Sequence, residues 1–120
     1  MHPIFPVMLG SALGAAARYL AVLAIPPRGG WPMGTFLVNL AGGLLMGVLA
    51  ALVLKGTASE NIRLFAGVGI LGGFTTFSAF SLEGFQMLSR GQWVLAGLYA
   101  LASVVGSIAA LAVGFQMVRA

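Results

Sequence analysis

Apolar residues run along the chain in four long blocks, each closed by a short cluster of charged or turn-forming residues. The blocks are Pro3 to Ile25, Trp31 to Leu54, Asn61 to Leu88 and Gln92 to Val118. A hydrocarbon core about 30 Å thick takes about 20 residues of helix per crossing, so each block predicts one membrane span. The connections are "PPRGG", "KGTASE" and "SRG", each carrying the glycine, proline or charge of a turn in water, so neighbouring helices should run antiparallel. Four crossings leave no room for a soluble domain. Residues 1–120 are expected to form a single transmembrane domain, an all-α integral membrane protein.

Composition agrees: 60% of the 120 residues are hydrophobic and 7% charged, more apolar surface than a soluble domain of this length can hide. The first block is too long for the apolar core of a signal peptide, and only His2 and the terminal amine stand before Pro3, so a mature span is expected there. His2, a lone histidine at the terminus, is expected to be inert. The chain has no cysteine, which excludes disulfides and thiolate metal sites.

Net charge is +4, but the six basic residues are scattered singly and form no stripe, which argues against nucleic acid. Their use is in topology. Lys55, Arg63 and Arg119 fall on one face of the membrane and Arg18, Arg28 and Arg90 on the other, an even split that leaves almost no orienting bias. Inserted both ways up, such a chain can pair about a two-fold axis in the membrane plane, an antiparallel, dual-topology homodimer of eight helices.

Polar residues at membrane depth carry the chemistry. Asn39, in "GTFLVNLAGG", needs partners there and must face protein, water or a ligand; an interhelical hydrogen bond and a ligand contact are both open. The pairs Gly10 and Gly14, and Gly43 and Gly47, are packing positions where helices approach closely. Tyr99, Ser103 and Ser107 recur every four residues and climb about 12 Å along one helix face, either a hydroxyl-lined path or a packing seam. Arg18 either snorkels or makes a positive vestibule, and Glu83, the only acid inside a span, is expected to pair with Arg18 or a loop arginine.

The stretch "GGFTTFSAF", residues 72–80, stands apart. Two adjacent glycines weaken a helix and two threonines beside them can bond freed backbone groups, so the third span is expected to be broken there. Such a break is tolerated only where the freed groups are buried, face a cavity or bind an ion. Phe77 and Phe80 share one face of the second half. A ring turned edge-on offers weak positive potential, and with the Asn39 amide and serine hydroxyls it makes an anion path of weak ligands, which suits conduction.

With these motifs in place, "GSALGAAARYL", "WPMGTFLVNLAGG", "GGFTTFSAF" and the Tyr99, Ser103, Ser107 ladder, essentially the whole chain closely resembles the small fluoride channels of microorganisms, the CrcB or Fluc family. The resemblance implies a four-helix subunit in an antiparallel dimer with two fluoride pores, embedded in the lipid of a bacterial inner membrane. It implies a pore asparagine at Asn39, ion-facing rings at Phe77 and Phe80, and a hydroxyl track at Tyr99, Ser103 and Ser107, with Ser78 and Ser81 beside the rings counted among the pore residues. Arg18 and Glu83 match a vestibule or pore-end pair, and a structural Na⁺ held by backbone carbonyls of both subunits would sit at Gly72 and Thr75. Ala79 departs from the family, which often has a threonine there. The implied activity is passive export of F⁻ that entered as HF, with no reaction catalysed.

Two other classes compete. A small multidrug-type, proton-coupled exporter also has four spans, but needs a membrane-embedded carboxylate that the first span lacks, leaving Glu83 as its one candidate. A purely structural membrane protein would reduce Asn39 and the helix break to packing features.

Overall fold

The computed structural model describes residues 2–119. Its elements are α1 (Ile4–Ala24), α2 (Met33–Leu54), a short α3 (Glu60–Ile62), a π-helical segment (Arg63–Leu71), a short α4 (Gly72–Phe74), α5 (Phe77–Ser89) and α6 (Trp93–Arg119). Four stretches, Ile4–Ala24, Met33–Leu54, Glu60–Ser89 and Trp93–Arg119, are long and apolar enough to cross a membrane. The described residues measure 48 × 32 × 20 Å along their principal axes.

The helices pack in two close pairs, α2 with α6 and α1 with the π-helical segment and α4. Glycines set the separation in both. A Cβ at Gly47 would run into the Leu111 carbonyl, and one at Gly114 into the Leu44 carbonyl, so α2 and α6 meet backbone to backbone. On the other side Gly10 and Gly14 of α1 lie against the carbonyls of Phe65 and Ile70, while Gly73 leaves only 2.5 Å between a would-be Cβ and the Ser11 carbonyl. Lipid tails are as apolar as leucine, so in a bilayer this close packing, not the hydrophobic effect, holds helices together. Large apolar side chains such as Leu9, Leu13, Leu101 and Ile108 are turned outward, and among the described residues the largest fully buried side chains are Tyr99 and Met87.

Two local features were not expected. The first half of the third span winds as a π-helix over nine residues, with the Gly72 N–H reaching back to the Gly67 carbonyl. That winding is rare and gathers at functional sites. Here it runs through the buried Gly67 and Gly69, which present bare backbone to α2 and α1. The second concerns the glycine pair. Gly72 is helical (φ −62°, ψ −41°), and the extended residues are the threonines that follow, Thr75 (φ −85°, ψ 157°) and Thr76 (φ −148°, ψ 122°). The paired glycines are small for close packing with α1 at Gly73, not for a turn.

Candidate functional site

The site is built around those threonines. Thr75 ends α4 by returning both its N–H (3.0 Å) and its hydroxyl (2.9 Å) to the Leu71 carbonyl. Thr76 caps α5, its hydroxyl accepting from the Ala79 N–H at 3.1 Å, the bond expected of a good N-cap residue. Between the two ends the backbone of Thr76 would be orphaned, and Asn39 of α2 meets it: Asn39 Oδ1 accepts from the Thr76 N–H at 2.9 Å and Asn39 Nδ2 donates to the Thr76 carbonyl at 3.0 Å. Of the two readings of Asn39, the interhelical bond is made, and one amide hydrogen remains for another acceptor.

The same exchange of partners frees two carbonyls. In a continuous helix the Thr76 N–H would bond Gly72 and the Ala79 N–H would bond Thr75; here Asn39 Oδ1 and Thr76 Oγ1 take those donors. The carbonyl oxygens of Gly72 and Thr75 accept no hydrogen bond from the described residues. They are hard oxygen donors of the kind Na⁺ takes, and no group of three or more His, Cys, Asp or Glu side chains placed to hold a metal occurs among the described residues.

Beside this segment a groove of about 410 Å³ runs between α2 and α6. It brings together Asn39, Thr75, Phe77, Phe80, Ser103 and Ser107. Ser103 is buried, and its hydroxyl has no partner. Phe77 is 77% exposed, so one flank of the groove is open. The Phe77 and Phe80 rings lie 5.5 Å apart, and Phe80 in turn lies 5.2 Å from Tyr99, tilted at 46°.

Other expected residues fall elsewhere. Ser78 and Ser81 are exposed, outside the groove, and spend their hydroxyls locally: Ser78 shares a 3.3 Å bond with Thr76, and Ser81 donates to the Phe77 carbonyl at 2.8 Å. Tyr99 does not line the groove; it is fully buried, behind Phe80. Arg18 and Glu83 do not pair. Arg18 Nε donates to the Gly73 carbonyl at 3.1 Å, because α1 packs on the segment before the threonines, while Glu83 lies beyond them on α5. A guanidinium on the carbonyl end of α4 is also where helix polarity favours a cation.

Glu83 is met instead by two hydroxyls, Thr35 Oγ1 at 3.0 Å and Tyr99 OH at 3.1 Å, which tie α2, α5 and α6 together. Its carboxylate also borders a second, more polar pocket of about 310 Å³ that includes Gln86, Arg90 and Gln92. Thr35 was not anticipated, although it precedes Asn39 by one helical turn on the same face and that spacing was visible. Trp31 was also missed. It stands edge-on to Phe36 (5.3 Å, 88°) and to Tyr99 (5.3 Å, 84°).

Taken as chemistry, the groove offers one spare amide hydrogen, hydroxyls and aromatic rings, and no full charge among its lining residues. A small anion would be held weakly there, by donors that replace part of its hydration.

Comparison with known proteins agrees in kind. Residues 5–115 match the model of a family described as CrcB-like protein, Camphor Resistance (CrcB). A fluoride-specific ion channel FluC of Sphingopyxis alaskensis is 50% identical over 122 residues, covering 99% of this chain and 97% of that protein. The protein of the same name from Caulobacter sp. strain K31 is 50% identical, covering 99% and 96%, and that from Novosphingobium aromaticivorans is 45% identical, covering 94% and 93%.

Proposed function

The chain belongs to the CrcB family, and from that premise we propose that it is a fluoride-selective ion channel that lets F⁻ leave the cytoplasm down its gradient, lowering fluoride toxicity. It is a multi-pass membrane protein and no enzyme. The observation that carries the reading to this chain's own residues is the groove. Asn39, Phe77, Phe80, Ser103 and Ser107 lie along one surface, and the one buried hydroxyl among them, Ser103, has no protein partner.

In the proposed mechanism F⁻ exchanges water for the spare amide hydrogen of Asn39, the edges of Phe77 and Phe80, and the hydroxyls of Ser103 and Ser107. Each contact is weak, so the ion is not trapped. A narrow path of this kind disfavours chloride, which is larger and a poorer hydrogen-bond acceptor.

The open flank at Phe77 favours a second copy of the chain as the other wall. An antiparallel homodimer, inserted in both orientations and surrounded by lipid of the bacterial inner membrane, would then carry two pores. The third span is read as two half-helices meeting at Thr75 and Thr76. A structural Na⁺ would be held by the Gly72 and Thr75 carbonyls of both subunits, where it would supply positive charge opposite freed helix-end oxygens.

Efflux from liposomes holding the purified protein tests the reading, with a potassium ionophore clamping the voltage. Rapid F⁻ efflux without Cl⁻ efflux is the expected result. Folded protein that passes neither ion would overturn it and return Asn39 to a purely structural role. The proton-coupled exporter would show transport driven by a pH gradient instead.

A further inference from the structure

Among the described residues two buried side-chain polar atoms have no hydrogen-bond partner, Ser103 Oγ and Trp31 Nε1. Ser103 lies in the groove and is accounted for there. Trp31 lies outside it. An indole nitrogen can only donate, and leaving a buried donor unpaired is unfavourable, so its persistence calls for a reason.

Trp31 is held in place from three sides. Its backbone exchanges both hydrogen bonds with Arg28, at 2.9 and 3.0 Å, across a two-residue turn. The turn residues are Gly29 (φ 59°) and Gly30 (φ 80°), a left-handed pair that glycine adopts without strain. The ring is clamped edge-on between Phe36 and Tyr99. Two flanking residues of Trp31, Gly30 and Pro32, line the polar pocket that Glu83 borders.

Tyr99 stands one turn before Ser103 of the groove on α6, its ring is met edge-on by the indole, and its hydroxyl donates to Glu83, which borders the polar pocket. A cluster of Tyr99, Met87 and Ala96, with Trp31, Phe36 and Phe80 packed against it, links Phe80 of the groove through Tyr99 to Glu83 of the pocket, and in it Trp31 holds the one buried donor without a partner. We infer that the Trp31 indole N–H is an anion contact, the donor that receives F⁻ as it passes the Tyr99 ring between the groove and the polar pocket. The inference rests on the channel reading above. Fluoride suits such a group: it is the smallest halide and the strongest acceptor, and an N–H shielded from water and held by its neighbours meets it without reorganisation.

The test uses the full-length protein carrying Trp93→Phe, which leaves Trp31 as the sole indole, in liposomes. The expected result is an emission change with fluoride and none with equal chloride. Trp31→Phe, made in the Trp93-containing protein, keeps a ring between Phe36 and Tyr99 but removes the donor, and should lower F⁻ efflux by about tenfold, as loss of a hydrogen bond to a charged group does. Its thermal stability should stay above that of Trp31→Leu, which removes the aromatic packing as well. Emission silent to fluoride overturns the proposal, and if Trp31→Phe also loses flux, Trp31 acts by packing alone. An emission change with full flux in Trp31→Phe overturns it too, since the donor would then lie off the path. Absence of efflux from the Trp93→Phe protein and the unsubstituted chain alike sinks the channel reading and this proposal together, whereas efflux with silent emission sinks the proposal alone.

Discussion

The Asn39 carboxamide occupies both backbone groups of Thr76, accepting from its N–H at 2.9 Å and donating to its carbonyl at 3.0 Å. A side chain thus stands in for the missing peptide partners of an extended residue at membrane depth. Asn39→Ala removes both bonds and Asn39→Asp removes the donation, each orphaned group costing about 1–3 kcal/mol. In thermal unfolding of the purified proteins in detergent, both variants should melt below the unsubstituted chain, and both should lose efflux. Unchanged unfolding of Asn39→Ala would mean that the Thr76 backbone finds other partners.

The two rings separate packing from conduction. Phe77 is 77% exposed, whereas Phe80 contacts both Phe77 and Tyr99. Aromatic contacts of this kind are worth about 0.5–1.5 kcal/mol of stability. Phe80→Ile should lose both flux and some stability. Phe77→Ile should lose flux with little loss of stability in a monomeric state, measured by efflux beside thermal melts; full flux in Phe77→Ile would take that ring out of the path.

How much of this was legible depends on the kind of signal. The four apolar helices were, because hydropathy over about 20 residues is a bulk property. So were the packing roles of Gly10, Gly14, Gly43 and Gly47, since small residues four apart share a helix face. Within the stretch 72–80 the extended residues are Thr75 and Thr76, not the glycines: glycine permits an extended backbone but does not require one, and contact with α1 at Ser11 explains Gly73. No local pattern marks a π-helix, which depends on how the whole segment from Arg63 to Leu71 meets α1. Glu83 was assigned the wrong partners because opposite charges were matched without distances. Its actual donors, Thr35 and Tyr99, are neutral hydroxyls on other helices.

Glycine substitutions should divide sharply. A Cβ at Gly47 or Gly14 would collide with the backbone of the facing helix, and backbone cannot move aside as a flexible side chain does. Gly47→Ala and Gly14→Ala should each destabilise by about 1–3 kcal/mol, as overpacking does. Among the described residues nothing outside its own stretch of α6 lies within 4 Å of a Cβ at Gly97, so Gly97→Ala should be neutral or stabilise by up to about 1 kcal/mol through helix propensity. Detergent-denaturation midpoints compare the three. Strong destabilisation at Gly97 alone would identify its face as a contact with another copy of the chain.

Glu83 distinguishes the channel from a proton-coupled exporter. Its carboxylate accepts from Thr35 and Tyr99, so it fastens α2 and α6 to α5 just beyond the Phe80 ring. Glutamine keeps one oxygen acceptor and replaces the other by a donor, so one hydroxyl must turn from donating to accepting and both bonds lose their charge assistance while shape is retained. A hydrogen bond to a charged group is worth about 1.5–3 kcal/mol, so Glu83→Gln should lower the unfolding temperature, and Glu83→Ala should lower it further. Because the carboxylate is used as an acceptor and a brace, Glu83→Gln should retain measurable F⁻ efflux that runs without a pH gradient. An exporter that cycles a proton on Glu83 would lose all transport with that substitution, and the unsubstituted protein would accumulate a cationic substrate when a pH gradient is imposed. Finding both would replace the channel by the exporter, whereas reduced but gradient-independent efflux would leave Glu83 at one end of a passive path.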